Sequence, residues 1–121
     1  MGKVSLKDLG AGRPIGEDYS TSEGMVLRSE KSEVSRVTFK KEGGAEPHSH
    51  PEEQSLFVEE GRLEVTLGDG DDLETYVVEA GQGSFHPSNA VITLKALEDT
   101  RIVSFKNLVD GSGYEATGIL Q

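Results

Sequence analysis

The stretch Gly43-Gly44-Ala45-Glu46-Pro47-His48-Ser49-His50-Pro51-Glu52-Glu53-Gln54 holds two of the three histidines in a chain of 121 residues. The two stand at i and i+2. On a β-strand that spacing puts both rings on one face, one pleat apart. Two imidazoles so placed can share one metal ion. On a polar loop the same rings would face water, so the reading depends on the segment being a strand. Glu46 precedes Pro47 and is therefore held extended, at an exposed strand position or at the mouth of a cavity.

The flanking sequence is punctuated as a β-protein is. Strands are predicted at 25–29, 34–41, 45–50, 54–59, 62–67, 74–78, 83–86, 90–97 and 101–105. Period-two alternation is clearest in Ser35-Arg36-Val37-Thr38-Phe39-Lys40 and in Leu63-Glu64-Val65-Thr66-Leu67. Glu42-Gly43-Gly44, Glu60-Gly61 and Glu79-Ala80-Gly81-Gln82-Gly83 mark turns, and Gly68-Asp69-Gly70-Asp71-Asp72 marks a hairpin loop. That acidic loop lacks the twelve-residue frame and terminal Glu of a Ca²⁺ loop and reads as a solvated turn. Residues 1–24 read as an irregular arm, with Gly10, Gly12, Pro14 and Gly16 breaking any helix. Its apolar Val4, Leu6, Leu9 and Ile15 could still form an edge strand. Residues 25–108 form the predicted β-barrel, and 109–121 a tail behind the link Gly111-Ser112-Gly113. Regular strand–turn spacing of this kind argues for an antiparallel sandwich or small barrel. Its predicted core is Phe39, Val58, Leu63, Val65, Phe85, Ile92, Leu94 and Phe105.

Composition narrows the partners. Twelve Lys and Arg against 22 Asp and Glu leave a formal charge of −10. Such a surface repels phosphate backbones and anionic lipid, so neither nucleic acid nor membrane is expected as a partner. The chain has no cysteine, which rules out disulfides and thiolate chemistry. Without the apolar core of a signal peptide at its start, a cytoplasmic location is expected. A domain this small gains core by pairing, so a homodimer is expected.

From residue 40 to 105 the sequence resembles the cupin family. That family's first motif runs as glycine, a spacer, His-x-His, three or four residues, Glu, six residues, Gly. Here His48-Ser49-His50 is followed by three residues, Gln54, six residues and Gly61. The second motif runs as Gly, five residues, Pro-x-Gly, two residues, His. Here Gly81 is followed by five residues, Pro87-Ser88-Asn89, two residues and Ile92. The resemblance implies an all-β cupin-type jelly roll with metal ligands in the mouth of the barrel, His48, His50 and Gln54 among them. Gln54 stands where the family usually has Glu, and Ile92 where it has the third His.

These departures change the chemistry. A Gln ligand is a neutral carbonyl oxygen, so His48, His50 and Gln54 form an uncharged donor set. Such a set leaves a divalent ion (Zn, Ni, Mn, Fe or Co) electrophilic and suits Lewis-acid work rather than the two-His–carboxylate style of O₂ activation. Three arrangements remain open. The metal keeps these three ligands plus water or substrate; or His86 substitutes from the adjacent strand, provided that Phe85 does not take the inner face; or no metal binds, and His48 and His50 act directly on a ligand. Glu52 and Glu53 read as a solvated turn, although one of them, Glu53 in particular, could serve as a base. The expected function is a small-molecule enzyme performing isomerisation, ring opening, cyclisation or elimination on an oxygenated substrate, such as a sugar acid or a polyketide-like compound. His48, His50, His86 and Glu53 are its candidate catalytic residues. A non-catalytic binding protein with a degenerate metal site is the alternative, and a dioxygenase a weaker one.

Overall fold

The computed structural model describes residue 3, the backbone of residues 13–15, and residues 19–29, 31–68 and 70–109. The tail 110–121 and the arm residues Val4, Leu6 and Leu9 lie outside the described residues. Ten strands make up the described chain: β1 Arg13–Ile15, β2 Ser22–Arg28, β3 Ser32–Phe39, β4 Gly44–His48, β5 Gln54–Glu60, β6 Arg62–Leu67, β7 Glu74–Glu79, β8 Gly83–His86, β9 Ile92–Ala96 and β10 Thr100–Asn107. They form a six-stranded sheet, β1-β2-β3-β10-β5-β8, facing a four-stranded sheet, β4-β9-β6-β7. Every ladder pairing is antiparallel. Within the arm expected at 1–24, residues 13–15 and 22–24 pair at one edge of the large sheet, the edge-strand arrangement that the reading of Ile15 left open.

Alternation decides what lies between the sheets. Val37, Phe39, Leu56, Val58, Leu63, Val65, Ile92, Leu94 and Ile102 are buried and make one cluster. Six of the eight predicted core residues are among them. Phe85 and Phe105 are not: they are 53 % and 49 % exposed. The reason is parity. In β8 the inner position belongs to His86, and in β10 the inner positions are Thr100, Ile102, Ser104 and Lys106. Each phenylalanine sits one residue out of phase and faces outward.

Strand register then sorts the inner face of the large sheet by polarity. One row across it reads Val37, Ile102, Val58. The next reads Val26, Ser35, Ser104, Leu56, Ser84. The third reads Arg28, Glu33, Lys106, Gln54, His86. One end of the sandwich is thus packed with hydrocarbon, and the other carries a continuous line of charged and polar side chains.

Turn glycines fix the strand ends. Gly61 joins β5 to β6 at φ +91°, where a Cβ would lie 2.3 Å from the Asp99 carbonyl oxygen. Gly81 joins β7 to β8 at φ +87°, with open space where a Cβ would be. Gly81→Ala should therefore cost only the left-handed penalty of about 1 kcal/mol, and Gly61→Ala clearly more. Leu63→Ala, at a fully buried site, should cost about 2–5 kcal/mol. Urea unfolding midpoints of the three variants check this order.

Candidate functional site

His48 owes its inward position to a bulge. Ala45 pairs with Leu94 and His48 with Ile92, so three steps along β4 match two along β9. Without the extra residue, Ala45 and His48 would face opposite ways. Pro47 lies inside this bulge, and β4 is an edge strand, which is where a strand tolerates proline. The strand ends at His48 rather than continuing to residue 50. His50 follows in the connecting loop, and its ring lies 5.9 Å from that of His48, tilted by 41°.

Backbone carbonyls set both tautomers. His48 Nδ1 lies 2.8 Å from the Glu46 carbonyl oxygen, and His50 Nδ1 lies 2.9 Å from that of Glu52. A carbonyl can only accept, so each Nδ1 carries the proton and each Nε2 keeps its lone pair. His50 Nε2 is fully buried and has no hydrogen-bond partner among the described residues. The Tyr19 ring stacks on His48 with centroids 4.1 Å apart. Tyr19 is held there because residues 19–21 run beside β4: Glu46 N–H donates to the Tyr19 carbonyl at 2.7 Å and Thr21 N–H to that of Gly44 at 2.9 Å.

The predicted turn at Glu52 and Glu53 divides. Glu52 is completely buried, which corrects its reading as solvated, and its Oε1 lies 3.6 Å from His50 Nδ1. A carboxylate behind the protonated nitrogen raises the basicity of the opposite one. Glu53 is exposed, and its backbone N–H donates to Asn107 Oδ1. It does not join the histidines, so the structure gives no support to Glu53 as their base.

Gln54 and His86 are neighbours in register on β5 and β8 and belong to one hydrogen-bonded chain. Gln54 Nε2–H donates to Ser104 Oγ at 2.7 Å, and Gln54 Oε1 accepts from His86 Nδ1 at 3.0 Å. His86 Nε2 then accepts from Ser84 Oγ at 2.8 Å, which is 2.6 Å from the Tyr76 hydroxyl. His86 is fully buried, with Phe85 on the outer face. Ile92 is fully buried too, beside His48.

Electrostatics keep the imidazoles neutral. Burial pulls His50 down to about 4, aided by the Lys106 ammonium and opposed by the Glu52 carbonyl bond. Burial brings His86 to about 4 as well, with the other two imidazoles and Lys106 adding to it. His48 is lowered by the same desolvation. Lys106 itself is only 9 % exposed; burial lowers its pKa, against the pull of Glu33 and Glu52.

Among the described residues, no three His, Cys, Asp or Glu side chains are grouped to hold a metal ion. What the site offers is two imidazole Nε2 atoms and the amide oxygen of Gln54, which keeps a second lone pair beside its bond to His86. A wider surface groove of about 540 Å³ runs along β4, lined by residues such as Tyr19, Glu46 and Lys95, and holds none of this cluster. Sequence reasoning passed over Tyr19, Ser104 and Lys106. For Lys106 and Ser104 a signal existed, because both stand in phase with Ile102, four and two residues on. For Tyr19 there was none.

Comparison with known proteins agrees with this architecture. Residues 35–105 match the Cupin domain family. No curated protein matches the chain. Among solved structures, a conserved protein of unknown function from Streptococcus pyogenes (SPY1581) is 22% identical with a TM-score of 0.63, each chain being covered over 78%. KdgF from Halomonas sp. is 21% identical with a TM-score of 0.63, over 71% of this chain and 79% of that one. Oxalate oxidase in complex with the substrate analogue glycolate is 21% identical with a TM-score of 0.69, over 87% of this chain and 58% of that one. The family match spans more than half of the sequence, and the sheets stack as in these jelly-roll structures: the chain belongs to the cupin family.

Proposed function

We propose that this cupin binds a divalent metal ion through His48 Nε2, His50 Nε2 and Gln54 Oε1, and uses it on an oxygenated small molecule. The observation that carries this reading is His50 Nε2, a buried lone pair that no group among the described residues satisfies. An orphan of that kind is costly unless a ligand completes it. The Nδ1–carbonyl bonds on both rings are the usual outer support of a metal-binding imidazole. A bound divalent ion would supply Lewis-acid polarisation of a carbonyl or hydroxyl oxygen. That chemistry suits isomerisation, ring opening, cyclisation or elimination. The all-neutral donor set argues against the dioxygenase alternative. A small-molecule ligand accords with the glycolate held by oxalate oxidase.

The protein's own residues divide the work. Tyr19 holds the His48 ring by stacking, and Glu52 does the same for His50 from behind. His86 orients Gln54: with both ring nitrogens engaged and a pKa near 4, it is a positioning residue rather than the base. Ile92 closes the wall where a further imidazole would stand and leaves that position to water or substrate.

Protein purified without a polyhistidine tag should contain a divalent metal. His48→Ala and His50→Ala should each lose it while keeping the fold, as judged by circular dichroism. Gln54→Glu should tighten zinc or nickel binding by about tenfold or more, because a carboxylate adds an opposite charge. A wild-type protein that takes up no zinc, nickel, manganese, iron or cobalt in calorimetric titration would overturn the reading in favour of the metal-free binding protein.

The lowered imidazole pKa values also set a pH dependence. Protons compete with metal for Nε2 only as pH approaches the pKa of the free ring. With His50 at about 4, zinc should stay bound well below pH 6.5 and be released only as the pH falls toward about 4. Dialysis followed by metal analysis across this range measures it.

A further inference from the structure

Lys106 has no part in the metal site just described, yet among the described residues it is a buried ammonium. It lies on the inner face of β10, 9 % exposed, two residues from Ser104 in the same strand. Its neighbours in register are Glu33 and Gln54. Glu33 is taken by Arg28, whose Nη2 is 2.7 Å from Glu33 Oε1. Glu52 sits behind His50. Among the described residues, Lys106 makes no side-chain hydrogen bond and no ion pair within the distances found for Arg28 and Glu33. Glu33 and Glu52 act on it only at longer range. An ammonium has three donors and no acceptor, so at a site this buried it favours an anionic partner.

The cavity beside it fits what is missing. It measures about 50 Å³ and lies between the sheets, lined by Lys106, His48, Gln54, the buried serines Ser22, Ser35 and Ser104, and the Glu33 carboxylate, whose charge Arg28 offsets. That is room for a group of carboxylate size or a few waters. Ser104 accepts from Gln54, which leaves its own O–H to donate. Donors therefore converge on a space too small for a sugar ring, next to the atoms assigned to the metal.

We infer that this cavity is the carboxylate subsite of the protein's substrate, with Lys106 Nζ as its ionic anchor and Ser104 Oγ–H as a second donor. The substrate class is then a small organic acid whose carboxylate enters first and whose neighbouring oxygen meets the imidazole pair. The direction toward the imidazoles rests on the function proposed above; the anion subsite itself does not.

Calorimetric titration with glycolate, and with ethylene glycol as its uncharged counterpart, tests this on the full chain with and without zinc. Glycolate should bind, ethylene glycol should not, and Lys106→Met should weaken glycolate binding by at least about tenfold without weakening zinc binding. In the wild-type protein the Lys106 Cε resonance should shift as glycolate is added, which keeps the test independent of how well the variant folds. Glycolate that binds wild type and Lys106→Met alike, or that leaves the Lys106 resonance unmoved in zinc-loaded protein, overturns the subsite. Lys106-dependent glycolate binding in a protein that takes up no metal upholds the subsite and overturns the metal reading.

Discussion

A strand has two faces and no third choice, and at one end of this sandwich the inner face goes to the polar residue each time. His86 rather than Phe85, and Lys106 rather than Phe105, point between the sheets. Register then aligns them with Gln54, Glu33 and Arg28 in a single row. Hydrophobic burial alone would shift β8 and β10 by one residue. In β10 that slip is prevented by Ile102, which packs with Val37 and Val58 at the apolar end. Moving Phe105 inward would expel Ile102, because a one-residue slip turns the entire strand over. The hydrocarbon end of the barrel therefore holds the polar end in place, and the functional cluster exists because the core fixes its parity.

The same argument explains what could be read in the sequence. Turns, strand positions and the apolar half of the core were legible because there composition and parity agree: Leu63 and Val65 alternate with charged or polar partners and are buried. At the functional end they disagree. A pattern reader takes Phe85 and Phe105 for core and passes over Lys106, since nothing local says that an inner face can be polar. The bulge in β4 was invisible for a related reason. His48 and Ala45 are three apart, and only the pairing with Ile92 and Leu94 shows that they share a face. Glu52 looked solvated because Pro51 before it marks a turn and Glu53 after it is charged. Its burial follows from His50 folding back onto its carbonyl, a contact of the loop rather than of any period.

The family motif was legible at His48, His50 and Gln54, but their chemistry was not. Sequence alone lets Gln54 be a ligand, a donor or a bystander. In the structure its amide is held at both ends, by Ser104 and by His86, so its oxygen has a fixed direction. His86 looked like a replacement ligand and is better understood as the group that keeps this oxygen in place. Both of its nitrogens are spent in the chain that runs from Tyr76 to Ser104, and that chain ties the small sheet to the large one.

Charge is the remaining constraint. The candidate donors are all neutral, and the nearest ammonium, Lys106, lowers the proton affinity of all three imidazoles. It disfavours a divalent cation in the same way, since both are positive charges brought to one low-dielectric space. An anion between the ammonium and the imidazoles reverses the sign of that effect: it is attracted by Lys106 and by the ion alike. Replacing the family's Glu by Gln54 removes the fixed negative charge that would otherwise neutralise the metal. A substrate carboxylate can then supply that charge from outside. On the proposed reading metal and acid would bind cooperatively, each lowering the electrostatic cost of the other, and the loss of a ligand carboxylate would become a means of selecting an acidic substrate.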